Sequence, residues 1–119
     1  MPSRRLEQVA GLLQEELSHL LEREVKDPRM GFVTLTGVEL SPDLRHARVY
    51  FSVLGDEEAV QQSLAALERA AGFLRHELSR RLTLRQVPEL HFVLDRSGER
   101  AQRISDLLRQ ARSSQGEPS

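Results

Sequence analysis

The chain has no cysteine and no tryptophan, and Lys26 is the only lysine among its 17 basic residues. Without a thiol, disulfides, thiolate metal sites and cysteine nucleophiles are excluded; a reducing compartment fits. No apolar run approaches the ~20 residues that cross a bilayer. Met1-Pro2-Ser3-Arg4-Arg5 leads into a polar-spaced helix and not into an apolar signal core. A cytoplasmic location with no membrane partner is therefore expected. A glycine-rich phosphate loop is missing, and Ser52, Ser63 and Ser79 lack the setting of a nucleophile elbow. Glu15-Glu16 and Glu57-Glu58 read as solvated helix faces. His19, His46, His76 and His91 show no ligand spacing and read as surface or sheet-face residues. The expectation is no catalytic residue, no metal, no cofactor and no small-molecule substrate; an enzyme is the least supported class.

What is present is an uneven charge. The 119 residues favour one domain, and the formal net charge is only -1. Through residue 68, however, seven basic residues face twelve acidic ones, whereas Arg69 to Arg112 holds ten arginines against five acids. Such asymmetry points to a polyanion-binding face in the second half; a solvated, salt-bridged surface is the bland alternative. Arginine suits bidentate phosphate contacts and stacking on bases. A GC-rich genome or a heat-adapted host produces the same bias.

Hydrophobic spacing orders the elements. Leu6, Val9, Leu13, Leu17, Leu20 and Leu21 predict a helix from an N-cap at Ser3 to about Val25. Lys26-Asp27-Pro28-Arg29-Met30-Gly31 stops it, because helix is disfavoured before proline. Phe32 to Leu40 reads as a strand with a bulge at Gly37. Ser41-Pro42-Asp43 is a turn, and Ala47, Val49, Phe51 and Val53 alternate with Arg48, Tyr50 and Ser52 in the second strand of a hairpin. Gly55-Asp56-Glu57-Glu58 opens a helix with acids at its positive end. Val60, Leu64, Leu67, Ala71, Leu74, Leu78 and Leu82 carry a helical period to about Thr83. Gly72, which costs ~1 kcal/mol relative to alanine inside a helix, marks a kink at Ala70, Ala71 and Gly72 that divides the span in two. Leu90 to Asp95 is the last strand. Ala101, Ile104, Leu107 and Leu108 suggest a short final helix. Residues 1–110 are expected to form a single domain, and residues 111–119 a disordered tail. The plan is α+β: a three-stranded sheet with helices packed on one face.

The best candidate binding element is the arginine-rich stretch from Ala70 to Thr83. With Leu67, Ala71, Leu74, Leu78 and Leu82 turned to the core, Arg69, His76 and Arg80 point away, Arg75 and Arg81 flank, and Phe73 lies near the exposed face. Cations that reach phosphates beside an aromatic that stacks on a base suit an RNA surface. An ordinary amphipathic helix with Phe73 turned inward is the alternative.

The chain resembles the ribosome-binding factor A family over roughly Arg4 to Leu108. The matching residues are Asp27-Pro28-Arg29, Val33-Thr34-Leu35-Thr36-Gly37-Val38, Ser41-Pro42-Asp43-Leu44 and Ala47-Arg48-Val49-Tyr50. Further on come Ala70-Ala71-Gly72-Phe73-Leu74-Arg75 and Leu84-Arg85-Gln86-Val87-Pro88-Glu89-Leu90-His91-Phe92, then Asp95 and Ser97. The resemblance implies a type-II KH-like domain of order α-β-β-α-kink-α-β, with an Ala-x-Gly kink in place of the Gly-x-x-Gly backbone clamp. It also implies a non-catalytic assembly factor that binds the free 30S subunit, assists late 16S rRNA maturation near the 5′ end and is tied to growth in the cold; a monomer is expected because nothing in the sequence demands more. Its partner is then 16S rRNA within the free 30S subunit, with ribosomal proteins as further contacts. Arg69, Phe73, Arg75, His76, Arg80, Arg81 and Arg85 would supply the RNA contacts, helped by Arg4 and Arg5. Two alternatives stay open: a KH-like binder of other RNAs, and a BolA-type protein-interaction module with His91 as its ligating histidine.

Overall fold

Leu13, Leu17 and Leu20 fall on one face of a helix by their spacing, and in the computed structural model all three are fully buried. The structure describes the backbone of residues 4–116 and the side chains of 4–97 and 103–112. The elements are α1 (Arg4–Arg23), β1 (Phe32–Leu40), β2 (His46–Leu54), α2 (Glu57–Arg81), β3 (Glu89–Leu94) and α3 (Ser97–Gly116). The α+β class and the three-stranded sheet are as expected, but the order is α-β-β-α-β-α and not α-β-β-α-kink-α-β. The N-cap expected at Ser3 lies outside the described residues.

The sheet order is β1-β2-β3. β1 runs antiparallel to β2, with Phe32 opposite Leu54 and Leu40 opposite Ala47. The register shifts between Leu35 and Gly37, so the bulge falls where the glycine predicts it, and Thr36 is the unpaired residue. β3 runs parallel to β2, with His46 opposite Glu89 and Phe51 opposite Leu94. A parallel neighbour needs a long crossover, and α2 is that crossover. Asp56 caps it, its carboxylate accepting from the Ala59 N–H at 2.9 Å.

Strand alternation divides the sheet into two faces. Leu35, Ala47, Val49, Phe51, Val53 and Leu90 point inward and join Leu13, Leu17, Leu20, Val60, Leu67, Leu74 and Leu78 in one core. α1 packs on β1, and α2 packs on β2, β3 and α1. The other face carries Thr34, Glu39, Arg48, His46, Glu89 and His91, all exposed.

Two expectations are corrected. Ala70, Ala71 and Gly72 do not divide the helix: α2 continues unbroken for 25 residues. One exposed glycine costs only about 1 kcal/mol, and Leu67 before it and Leu74 and Leu78 after it, each fully buried, hold both halves on the same core. The final helix is also not short. α3 reaches Gly116, so residues 111–116, expected to be a disordered tail, are helical; residues 117–119 lie outside the described residues. Alanine, glutamine, arginine and leucine favour helix intrinsically, and Arg109 Nη2 pairs with Asp106 Oδ1 at 2.6 Å one turn apart. Its side chains from residue 103 to 112 are all exposed.

Ser63 is the one buried polar residue of α2, and its Oγ accepts from the Gly31 N–H at 3.1 Å. The bond fixes the chain where it enters β1. Ser63→Ala leaves that N–H without its partner and should cost about 1 kcal/mol. Leu67→Ala, which empties part of the core, should cost about 2–5 kcal/mol. Urea unfolding of the two variants beside wild type measures both.

Candidate nucleic-acid interface

On α2, residues 69, 72, 73, 76 and 80 share one face by the 3.6-residue period. Leu74 and Leu78 occupy the opposite side and are fully buried, which turns that face to solvent. Phe73 is 42% exposed, so it does not turn inward. His76 and Arg80 are also exposed. Gly72 sits between them, and a methyl group added there would meet nothing within 4 Å. The result is a smooth stretch of bare helix backbone flanked by an aromatic ring, an imidazole and two guanidinium groups.

The arginines expected to act together are engaged unequally. Arg69 Nη2 donates to Asp27 Oδ2 at 3.1 Å, tying α2 to the loop before β1. Arg80 Nη1 reaches Glu77 Oε1 at 3.4 Å and remains 66% exposed, a pairing of little energetic weight. Arg75 leaves the face and donates from Nη2 to the Val87 carbonyl at 3.2 Å, bracing the loop before β3. Arg81 turns the other way, toward three carboxylates: Glu77 at 3.6 Å, Glu24 at 3.8 Å and Glu16 at 3.9 Å. It clamps α2 to α1. Arg85 lies exposed in the loop after α2, with no hydrogen bond or ion pair among the described residues. Arg4 and Arg5, exposed on the first turn of α1, are likewise unpaired among the described residues. The accessible face therefore carries Arg69, His76 and Arg80 around Phe73 and Gly72, with Arg85 exposed in the loop beyond the end of α2. Arg75 and Arg81 are braces.

Asp27 anchors one end of this face. The Arg29 backbone N–H above all holds its carboxyl below its ordinary value; desolvation opposes it, and the Arg69 guanidinium and the Arg29 side chain add to the lowering. Its ion-pair role was not visible in the sequence, where Asp27-Pro28-Arg29 reads as a helix stop. Sequence reasoning also missed the meeting of His46, Glu89 and His91, whose ligand atoms lie within 4.8 Å of one another on the uncovered sheet face. The only sequence signal was period-two placement of Glu89 and His91 on one side of β3; the parallel register supplies the rest.

Fold and surface together define a small α+β binding domain with an exposed cationic helix face. Among the described residues no helix is long and apolar enough to cross a membrane. The chain matches the family Ribosome-binding factor A over residues 5–108. It is 54% identical over 108 residues to a ribosome-binding factor A of Heliobacterium modesticaldum, covering 91% of this chain and 89% of the relative. It is 49% identical over 110 residues to one of Thermomicrobium roseum, covering 92% and 85%. The crystal structure of ribosome-binding factor A from Thermus thermophilus is similar at a TM-score of 0.70 and 29% identity, over 77% of this chain and 97% of that one. A homology model of Thermus thermophilus ribosome-binding factor A, as fitted into the cryo-EM map of a 30S complex, is similar at 0.64 and 31% identity, over 76% and 96%. The chain belongs to the ribosome-binding factor A family, a family of binding factors and not of enzymes.

Two outcomes test the site's construction. Arg81→Glu places a carboxylate among Glu16, Glu24 and Glu77 and should lower Tm by several degrees, whereas Arg80→Glu should leave it within about 2 °C; thermal denaturation followed by circular dichroism reads both. Asp27 contributes stability that is present above its unfolded-state pKa of about 4 and is lost as pH falls through the lower folded-state value. Wild type should therefore be more stable than Asp27→Asn at pH 7, and the difference should shrink as pH falls below about 4, in melts taken across acid pH.

Proposed function

We propose that this chain is a ribosome assembly factor that binds the free 30S subunit through 16S rRNA and assists late maturation of that rRNA near its 5′ end, without catalysing a reaction. It acts in the cytoplasm as a monomer. Membership of the ribosome-binding factor A family supports this reading, as does the similarity to a protein fitted into a 30S complex. The observation that carries the RNA contact is the bare backbone at Gly72, with Phe73, His76, Arg69 and Arg80 around it.

A phosphate backbone can approach a helix surface without side chains more closely than one covered by them. Arg80 and Arg85 are free to turn to phosphates. Arg69 exchanges its bond to Asp27 for a phosphate, or bridges both with its five donors. Phe73 offers a ring to an unpaired base. Such contacts position the protein and read little sequence, so selectivity for one subunit comes from rRNA shape. Arg75 and Arg81 serve this surface by holding α2 in place.

The test is co-sedimentation with purified 30S subunits and with assembled 70S ribosomes. Wild type should pellet with free 30S and not with 70S, and its affinity should fall steeply as salt rises, by a log–log slope of about -2 to -3 for roughly three phosphate contacts. Arg69→Glu/Arg80→Glu/Arg85→Glu should lose binding while its circular dichroism spectrum stays that of a folded protein. Gly72→Gln separates binding from folding: it should raise helix stability by roughly 0.5 kcal/mol and weaken 30S binding. Equal binding to unrelated structured RNA would replace the 30S reading with that of a general RNA binder. Unchanged binding by both variants would move the interface off α2.

A further inference from the structure

The uncovered sheet face holds a second constellation, remote from the α2 surface because α2 packs on the opposite face. His46 is the first residue of β2 and Glu89 the first of β3, and the parallel register sets them side by side. His91, two residues along β3, shares Glu89's face. His46 Nδ1 and His91 Nε2 approach to 3.0 Å, with their rings tilted at 34°. His46 Nδ1 lies 3.8 Å from Glu89 Oε2.

From this geometry we infer that His46, Glu89 and His91 form a surface site for a divalent transition-metal ion of the zinc class. Two imidazole nitrogens and one carboxylate oxygen match the donor set of three-ligand zinc sites that leave a fourth position to water. Calcium and magnesium, which take oxygen ligands, do not match. At Zn–N distances of 2.0–2.1 Å, tetrahedral coordination separates the donor atoms by roughly 3.3 Å. The imidazole nitrogens must part by a few tenths of an ångström from 3.0 Å, and the Glu89 carboxylate must close by about half an ångström on His46 from 3.8 Å while swinging toward His91, which lies within 4.8 Å of it. Both moves are within reach of exposed side chains, 54% accessible at His46 and 59% at Glu89.

The present arrangement already anticipates a cation. Two ring nitrogens at 3.0 Å need one proton between them, one ring donating and the other offering its lone pair. A metal ion takes the place of that proton and binds both lone pairs. The ligands stand on hydrogen-bonded strands, and the Glu89 N–H donates to the Arg45 carbonyl at 2.8 Å, which fixes the start of β3 against the residue preceding β2. Arg48, opposite His91 in the register, holds its guanidinium 3.5 Å from Glu39, and Arg45, next to His46, is a second positive charge near the site. A bound ion joins the starts of β2 and β3, and so stabilises the folded state over the unfolded one.

Isothermal titration of the untagged full chain with Zn2+ decides the matter. One ion per chain should bind, Tm should rise on its addition, and the ring-nitrogen resonances of His46 and His91 should shift in 15N spectra. His46→Gln and His91→Gln should each weaken binding by at least about tenfold, whereas His19→Gln and His76→Gln should bind as wild type does. Melts without metal confirm that each variant is folded. No uptake by wild type at about 100 μM Zn2+, a concentration that fills sites of micromolar affinity, would overturn the inference. So would binding unaffected by the His46 and His91 substitutions.

Discussion

Parallel pairing of β3 with β2 is the constraint on which the rest of the molecule depends. β2 sits between both other strands, and it buries Ala47, Val49, Phe51 and Val53 on one side. A parallel neighbour can be reached only by a long crossover, so α2 must span the sheet from the Leu54 end to the Glu89 end. That demand explains why Gly72 does not end the helix. It also explains why Leu67, Leu74 and Leu78 lie at helical spacing on both sides of the glycine. The apolar side of α2 is fixed by the core, and the outward face of Arg69, Gly72, Phe73, His76 and Arg80 is what remains.

The arginines around α2 do two kinds of work, and their partners separate them. Arg81 meets the carboxylates of Glu16 on α1, Glu24 just after it and Glu77 on α2, and Arg75 holds the loop before β3. Arg81, with Glu16 and Glu24, and Arg69, with Asp27, convert acidic residues of the first half of the chain into attachment between elements. Arg80 and Arg85 keep their charge available. Charge asymmetry along the sequence therefore overstates the cationic surface, because part of each half neutralises the other across the fold.

The two faces of the molecule carry different chemistry for the same structural reason. α1 and α2 cover one side of the sheet and present arginines outward, while the other side stays open and gathers imidazoles and a carboxylate. The bulge at Thr36 adds a further tie across that open side, with the threonine hydroxyl donating to Asp95 Oδ2 at 2.8 Å. Asp95 in turn accepts from the Ser97 hydroxyl and backbone N–H, the main causes of its lowered pKa. The sheet end from which α3 departs is thereby fixed.

Much of this protein could be read from the chain alone. The spacing of leucines placed α1 and α2, alternation placed β2, Gly37 marked the bulge, and Asp56 marked the start of α2. Absent cysteines and absent catalytic motifs pointed to binding rather than catalysis, and the ordered motifs pointed to the family. These signals are local: helical and strand periods, caps and turns act over a few residues and are printed in the sequence. The tertiary structure alone decided that α2 is continuous, that Arg81 and Arg75 are braces while Arg80 and Arg85 are not, and that His46 meets Glu89 and His91. Each of these depends on which residues separated along the chain become neighbours, a matter of strand register and helix packing across gaps of 12 residues between Arg75 and Val87, 42 between Asp27 and Arg69 and 45 between His46 and His91. No local period encodes such distances.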